Sequence, residues 1–147
     1  MLDSLQLQLC DIQGRLFELS LTKGYASENF ITLFMKSKTA ADYGLKYNRL
    51  QWAGEEYLLE ELIDECKDKL VTGDQYSKDE IFWIGYTYSY WHFLTGESSK
   101  KIVAQASPKT MKRAYAGMHT MDMHLAIEDL KKVGVKIRRH NKENNNK

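Results

Sequence analysis

Residues that could act as catalysts are few in this chain of 147 residues, and its four histidines are the first to consider. His92 follows Trp91 in an aromatic stretch and could act as a general base, although a lone histidine among aromatic residues is more often part of the core. His119 and His124 are five residues apart, and no cysteine or acidic set completes a ligand cluster around them. The sequence therefore predicts no metal site and no cofactor.

Arg113 and His119 form a second candidate site, with five residues between them. This spacing is similar to the Arg-x(4–6)-His motif of HEPN-type ribonucleases, which are small α-helical dimers. The resemblance implies that His119 moves a proton and that Arg113 stabilises the charge of a phosphate. The chain departs from the motif at Ala114, where the family usually has a polar residue, and Gly117 can bend or end the helix. One functional hypothesis is therefore a metal-independent ribonuclease that uses Arg113 and His119.

Residues 98–115 resemble a helix-turn-helix, in which Ser107 to Arg113 would begin the recognition helix. The N-terminal end of such a helix presents side chains to base edges in the major groove. The connection between the two predicted helices is shorter than usual and lacks the glycine of the turn. A DNA-binding protein that uses Ser107 to Arg113 is the second alternative.

The most unusual stretch is 82–93, because a helix there would place aromatic side chains on nearly every side. A helix that is apolar all round is usually the buried centre of an α-helical domain, and we favour this interpretation. The alternative is an aromatic surface for a partner, since tyrosine and tryptophan are enriched at interfaces. The residues of this stretch that we assign to partner binding are Trp83, Tyr86 and Tyr90.

Charge is distributed unevenly along the chain, although the formal net charge is only +1. Residues 55–69 contain seven acidic and two basic residues, whereas residues 98–121 contain five basic residues and no acidic one. The basic segment and the basic C-terminal tail can meet an acidic protein partner or a nucleic acid. Lys109, Lys112 and Arg113 are therefore added to the candidate partner-binding residues.

These residues would be positioned by helices, since apolar residues recur at helical spacing and no alternating strand pattern competes. Ser77 and Glu80 form a capping box that begins a helix to Thr95, with Gly96 as its stop. The other predicted segments are 2–23, a helix capped by Ser27, a short turn at 39–43, and helices at 45–71, 98–106, 107–118 and 122–134. The predicted fold is all-α, a single-domain bundle of about six helices around the aromatic helix 77–95. The domain would comprise 1–134, followed by a basic, disordered tail at 135–147.

Composition is that of a globular protein, with 43% apolar and 28% charged residues. No apolar run approaches the roughly 20 residues that span a bilayer, and the start of the chain lacks the features of a signal peptide. Cys10 and Cys66 are far apart within helical patterns. We therefore expect reduced, buried thiols in a cytoplasmic protein without membrane association.

Several strings along the chain resemble a family of uncharacterised bacterial helical proteins associated with toxin–antitoxin-type operons. They are SENF at 27–30, QWAGEEY at 51–57, EIFWIGY at 80–86, YWHFLTGESS at 90–99 and HTMD at 119–122. The resemblance implies a partner-binding role in a small operon. The predicted function is therefore a protein–protein interaction module of a toxin–antitoxin or defence system. It would act by docking on a partner encoded in the same operon, and not by chemistry.

Overall fold

The structure is a computed structural model that describes residues 1–45 and 48–145 of the chain. Within these ranges it contains eight α-helices and two short 3₁₀ turns, Arg49–Trp52 and Lys67–Lys69. The helices are α1 (Ser4–Thr22), α2 (Ser27–Met35), α3 (Lys38–Tyr43), α4 (Glu55–Cys66), α5 (Lys78–Thr95), α6 (Ser99–Gln105), α7 (Pro108–Met118) and α8 (Met123–Asn145). An isolated antiparallel bridge joins Tyr25 to Thr72. The predicted all-α class is confirmed, with eight helices where about six were expected.

The predicted capping residues begin the helices of the C-terminal half. Ser77 Oγ accepts from Glu80 N at 3.2 Å, and Glu80 Oε1 accepts from Ser77 N at 3.0 Å, which completes the capping box of α5. Ser98 caps α6 and Ser107 caps α7. Gly96 ends α5 with a φ of 77°, a conformation that favours glycine. These caps are local contacts, which is why sequence alone could locate them.

The long helix predicted at 45–71 is wrong, because the helix in this region, α4, covers only Glu55–Cys66. Ala53 and Gly54 have extended backbone conformations, so the 3₁₀ turn Arg49–Trp52 and α4 are separate elements. Lys67, with a φ of 48°, closes α4. Residues 46–47, at the start of that predicted helix, and residues 146–147, at the end of the predicted tail, lie outside the described residues.

Gly134 was predicted to end the last helix. This is wrong, because α8 continues through Gly134 to Asn145. A Cβ atom at Gly134 would lie 2.6 Å from the carbonyl oxygen of Gln105. The glycine therefore allows α8 to pass close to the end of α6, and it is a packing position instead of a stop. The division of the chain into a domain at 1–134 and a tail at 135–147 stays a prediction.

Helix α5 packs against α1, α6, α7 and α8. Its contact with α1 is close, since a Cβ at Gly85 would lie 2.8 Å from both Gln13 O and the Phe17 ring. Gln13 Nε2 donates to Gly85 O at 2.9 Å across the same contact. Trp91 and Tyr88 are fully buried, and the Tyr88 hydroxyl donates to Ala106 O at 2.6 Å. The aromatic helix is thus packed among its neighbours, as predicted.

A membrane-spanning segment would need a long and strongly apolar helix, and none of the helices in 1–45 and 48–145 meets both conditions.

Candidate functional site

An apolar groove lies between α7 and α8, with a volume of about 220 Å³. Its floor is made of aliphatic and thioether side chains, and Thr110 and Arg113 lie at its rim. The floor residues are Ala114, Met118, Leu130, Val133 and Ile137. Ile137 is 42% exposed, so part of this apolar surface remains in water. We call this feature the α7–α8 groove.

Arg113 lines the α7–α8 groove, and Lys109 and Lys136 lie on the helices that form it. Arg113 and Lys109 are exposed, and neither makes an ion pair with any described residue. Lys136 is three residues from Val133 and therefore lies on the same face of α8. Lys112 differs, because its Nζ lies 3.8 Å from Glu80 Oε2 and 5.7 Å from the centroid of the Tyr76 ring. Lys112 thus stabilises the contact between α7 and α5.

Seven of the chain's 20 acidic residues are concentrated on a different element, α4 and the turn that follows it. Glu56, Glu60 and Asp64 are exposed and have no ion pair within the described ranges. Glu65 is engaged, because its two carboxylate oxygens accept from the backbone N–H groups of Lys38 and Thr39 at the start of α3. Although the net charge is only +1, α4 is acidic, whereas α7 carries three basic residues and no acidic one.

A second cavity, of about 280 Å³, lies between α1, α5 and α7. We call it the α1–α5–α7 cleft. Its lining residues are Glu18, Asp79, Phe82, Trp83, Tyr115 and His119. The rings of Tyr115 and His119 stack with centroids 4.4 Å apart, and Trp83 meets Tyr115 edge to face at 5.9 Å. His119 Nδ1 donates to the backbone oxygen of Tyr115 at 2.7 Å when it bears the proton.

Arg113 and His119 are not brought together by the fold of one chain. Arg113 lines the α7–α8 groove, whereas His119 lines the α1–α5–α7 cleft. Six residues of an α-helix turn through about 600°, so the two side chains point to different sides of α7. The ribonuclease hypothesis stays a prediction, and the geometry of a single chain adds no support to it.

Trp83, Tyr86 and Tyr90 do not form one surface with Lys109, Lys112 and Arg113. Trp83 is buried, and its Nε1 is the one buried side-chain polar atom in the described part of the chain without a hydrogen-bond partner. Tyr86 and Tyr90 are half-buried in a row of rings, with centroids 6.4 Å apart, and burial raises the pKa of both phenols. The six predicted partner-binding residues are therefore spread over separate parts of the surface and the core.

His92 borders a third cavity, of about 280 Å³, between α1, α3 and α5. Its Nδ1 lies 2.7 Å from Glu97 O, and its Nε2 lies 3.0 Å from Gly44 O. Both neighbours are carbonyl oxygens within the protein, so neither ring nitrogen is left for a substrate. His92 connects the end of α3 to the loop after α5, and this supports the structural interpretation over the general base.

Glu97 is a residue that sequence reasoning missed. Its carboxylate accepts from Lys131 Nζ at 2.7 Å, from Gln105 Nε2 at 2.5 Å and from Trp91 Nε1 at 3.1 Å. Burial alone would raise the pKa of this carboxyl, but the three donors outweigh it and lower the pKa to about 2. The donors come from α5, α6 and α8, and no sequence pattern connects them.

Among the described residues, no group of three or more His, Cys, Asp or Glu side chains is arranged to hold a metal ion. Glu18 and Asp79, the two carboxylates of the α1–α5–α7 cleft, were also not predicted as site residues, because 61 positions separate them in the sequence. The chain matches no protein-family model, and no similar chain was found among curated proteins or solved structures.

Proposed function

We propose that the protein is an interaction module that binds a partner protein through the α7–α8 groove. The observation that supports this most directly is an apolar floor, open to water, beside a guanidinium group without a counter-charge among the described residues. Transfer of apolar surface out of water gains about 25 cal/mol per Å². Arginine is enriched among the residues that dominate binding energy at interfaces. A partner that covers the apolar floor and pairs with Arg113 would gain binding free energy from both contacts.

The chemistry of the groove favours an acidic, amphipathic segment as its occupant. Leu130, Val133 and Ile137 follow one another at spacings of three and four along α8, so they form one continuous apolar face of that helix. Arg113 can hold a carboxylate with two parallel hydrogen bonds, and Lys136 adds positive charge on the same face of α8. A nucleic acid would use the cations but would leave the apolar floor against phosphates or water. The groove therefore favours a protein over a nucleic acid.

Following the resemblance to proteins of toxin–antitoxin-type operons, we place this partner in the same operon and the complex in a toxin–antitoxin or defence system. The cysteines are consistent with a cytoplasmic site of action. Cys10 and Cys66 are free and buried, and burial raises the pKa of the Cys10 thiol to about 12. A thiol of this kind is a poor nucleophile and resists oxidation.

The proposal is tested by co-expression of the chain with the products of neighbouring genes, followed by calorimetric titration of the purified pair. Arg113→Glu and Ile137→Ser should each weaken the affinity by about tenfold or more, because one removes the ionic contact and the other part of the apolar floor. Lys78→Glu and Val71→Ser are the matched controls, since both residues are exposed and lie away from the groove. These controls should bind like the original protein.

Two results would contradict the proposal. One is an unchanged affinity in both groove variants. The other is tight binding of a DNA duplex that Arg113→Glu abolishes and Ile137→Ser leaves intact, with a steep loss of affinity as salt rises. That pattern would favour the DNA-binding alternative, in which Ser107 to Arg113 contact the duplex.

A further inference from the structure

The cavity of about 280 Å³ between α1, α3 and α5 also extends to the loop after α5, and we call it the α1–α3–α5 cavity. Met35, Tyr43 and Tyr88 line its inner part and are almost fully buried, whereas Leu45 and Ser98 are exposed at its opening. It is more enclosed than the α7–α8 groove and the α1–α5–α7 cleft. A molecule inside it would therefore lose most of its contact with water.

The walls of the α1–α3–α5 cavity present mostly apolar surface, and among the described residues none that lines it is Lys, Arg, Asp or Glu. The polar atoms of its rings are bonded within the protein. The Tyr43 hydroxyl donates to Leu9 O at 2.7 Å, and the Tyr88 hydroxyl donates to Ala106 O at 2.6 Å. Both ring nitrogens of His92 lie beside backbone carbonyl oxygens. A charged ligand would find no carboxylate, ammonium or guanidinium partner in the described part of these walls.

An uncharged apolar molecule matches walls of this kind. Removal of apolar surface from water is favourable, whereas burial of a charge without a partner is costly. An apolar cavity of about 150 Å³ is large enough to hold benzene. The larger volume of the α1–α3–α5 cavity therefore has room for a ring that carries a substituent.

We propose that the α1–α3–α5 cavity binds a compact, uncharged apolar molecule of about the size of a substituted benzene ring. The cavity and the α7–α8 groove have no lining residue in common. Binding of this ligand therefore does not require the partner protein of the proposed function.

The test uses ethylbenzene as the probe, titrated calorimetrically into the full chain at pH 7. Benzylamine is its charged counterpart, because an ammonium group replaces the terminal methyl group at this pH. Ethylbenzene should bind at least about tenfold more tightly than benzylamine, since the cavity would leave the ammonium group without a partner. Equal affinity for the two compounds, or no binding of ethylbenzene up to its solubility limit, would overturn the proposal.

A variant that fills the cavity should no longer bind the probe. Ala40 is buried and lines the cavity from α3, so Ala40→Leu places additional side-chain atoms in the space that the ligand needs. This change should weaken ethylbenzene binding by about tenfold or more. Ala104→Leu, on the exposed side of α6 and outside the cavity, should bind like the original protein. Unchanged affinity in a folded Ala40→Leu protein, with folding checked by thermal unfolding, would overturn the assignment.

The methionine methyl groups locate the probe without any substitution. Met35 lines the α1–α3–α5 cavity, whereas Met118 lines the α7–α8 groove. In NMR spectra of the protein labelled with ¹³C at its methionine methyl groups, ethylbenzene should shift the Met35 signal and leave the Met118 signal in place. A shift of Met118 that equals or exceeds that of Met35 would place the probe in the groove and overturn the proposal.

Discussion

At the scale of single residues, Glu97 stabilises the fold through charged hydrogen bonds to three helices. Its pKa in the folded protein is about 2, below the ordinary value near 4.5. A carboxyl with a lowered pKa stabilises the fold at pH values above its unfolded pKa, and that stabilisation is lost as pH falls through the folded value. The relevant window is therefore pH 4.5 down to about pH 2.

We expect Glu97→Gln to lower the free energy of unfolding by roughly 2–3 kcal/mol at pH 7, because the amide cannot replace the charge opposite Lys131. The difference between the two proteins should shrink as pH falls from 4.5 towards 2. Urea denaturation at a series of pH values measures both effects. Glu56→Gln is the control, since Glu56 is exposed and unpaired in the described structure. A constant difference at all pH values would contradict the role of the charge.

The two buried tryptophans of α5 make a matched pair. Trp91 Nε1 donates to Glu97 Oε1 at 3.1 Å, whereas Trp83 Nε1 has no acceptor among the residues described. Truncation of either tryptophan to alanine should lower the free energy of unfolding by roughly 3–5 kcal/mol, because the missing indole leaves a large cavity.

Replacement by phenylalanine separates packing from hydrogen bonding. Trp91→Phe should destabilise the protein by about 1–2 kcal/mol more than Trp83→Phe, because only the former removes a bond to a charged acceptor. Thermal and urea denaturation of both variants give the comparison. Equal losses would mean that the Trp91–Glu97 bond contributes nothing measurable.

At the scale of elements, two glycines inside helices have opposite surroundings. A Cβ at Gly117 of α7 would meet no atom within 4 Å, whereas one at Gly134 of α8 would lie 2.6 Å from Gln105 O. Helical backbone favours alanine over glycine when there is space for the methyl group.

Gly117→Ala should therefore stabilise the protein by about 0.5–1 kcal/mol, through the lower conformational entropy of the unfolded chain. Gly134→Ala should destabilise it by about 1–3 kcal/mol, because α8 must move away from the backbone of α6. The midpoints of thermal unfolding of the two variants should shift in opposite directions. A stabilising Gly134→Ala would show that α8 does not pack against Gln105.

At the scale of the whole molecule, opposite charges are separated although the formal net charge is +1. A group of exposed carboxylates lies on α4, and Lys109 and Arg113, cations that are unpaired among the described residues, lie on α7, with Arg113 lining the α7–α8 groove. Separated charges attract a complementary partner at low ionic strength and are screened by salt.

We expect association with the proposed partner to slow by about tenfold between 50 mM and 500 mM salt. Arg113→Glu should flatten this salt dependence, whereas Ile137→Ser should keep it and speed dissociation. Surface plasmon resonance at several salt concentrations separates the two rates. A salt dependence that is unchanged in Arg113→Glu would show that Arg113 does not attract the partner.

Local patterns in the sequence determined the all-α class, most helix starts and the burial of the aromatic helix. Ser77, Ser98 and Ser107 cap helices by bonds to residues three positions on, so the relevant partners lie within a few residues of sequence. The dense aromatic stretch predicted a buried α5, because removing apolar side chains on all sides of a helix from water stabilises the fold.

Tertiary structure alone decided which distant residues meet. Gly134 follows the pattern of a helix stop, yet its role is set by Gln105 of another helix. Glu18, Asp79 and Tyr115 come from three helices and share a cleft that no spacing rule connects. Arg113 and His119 are close in sequence, but α7 presents one to α8 and the other to α5. Sequence periodicity describes one helix at a time, whereas a site depends on how helices pack against one another.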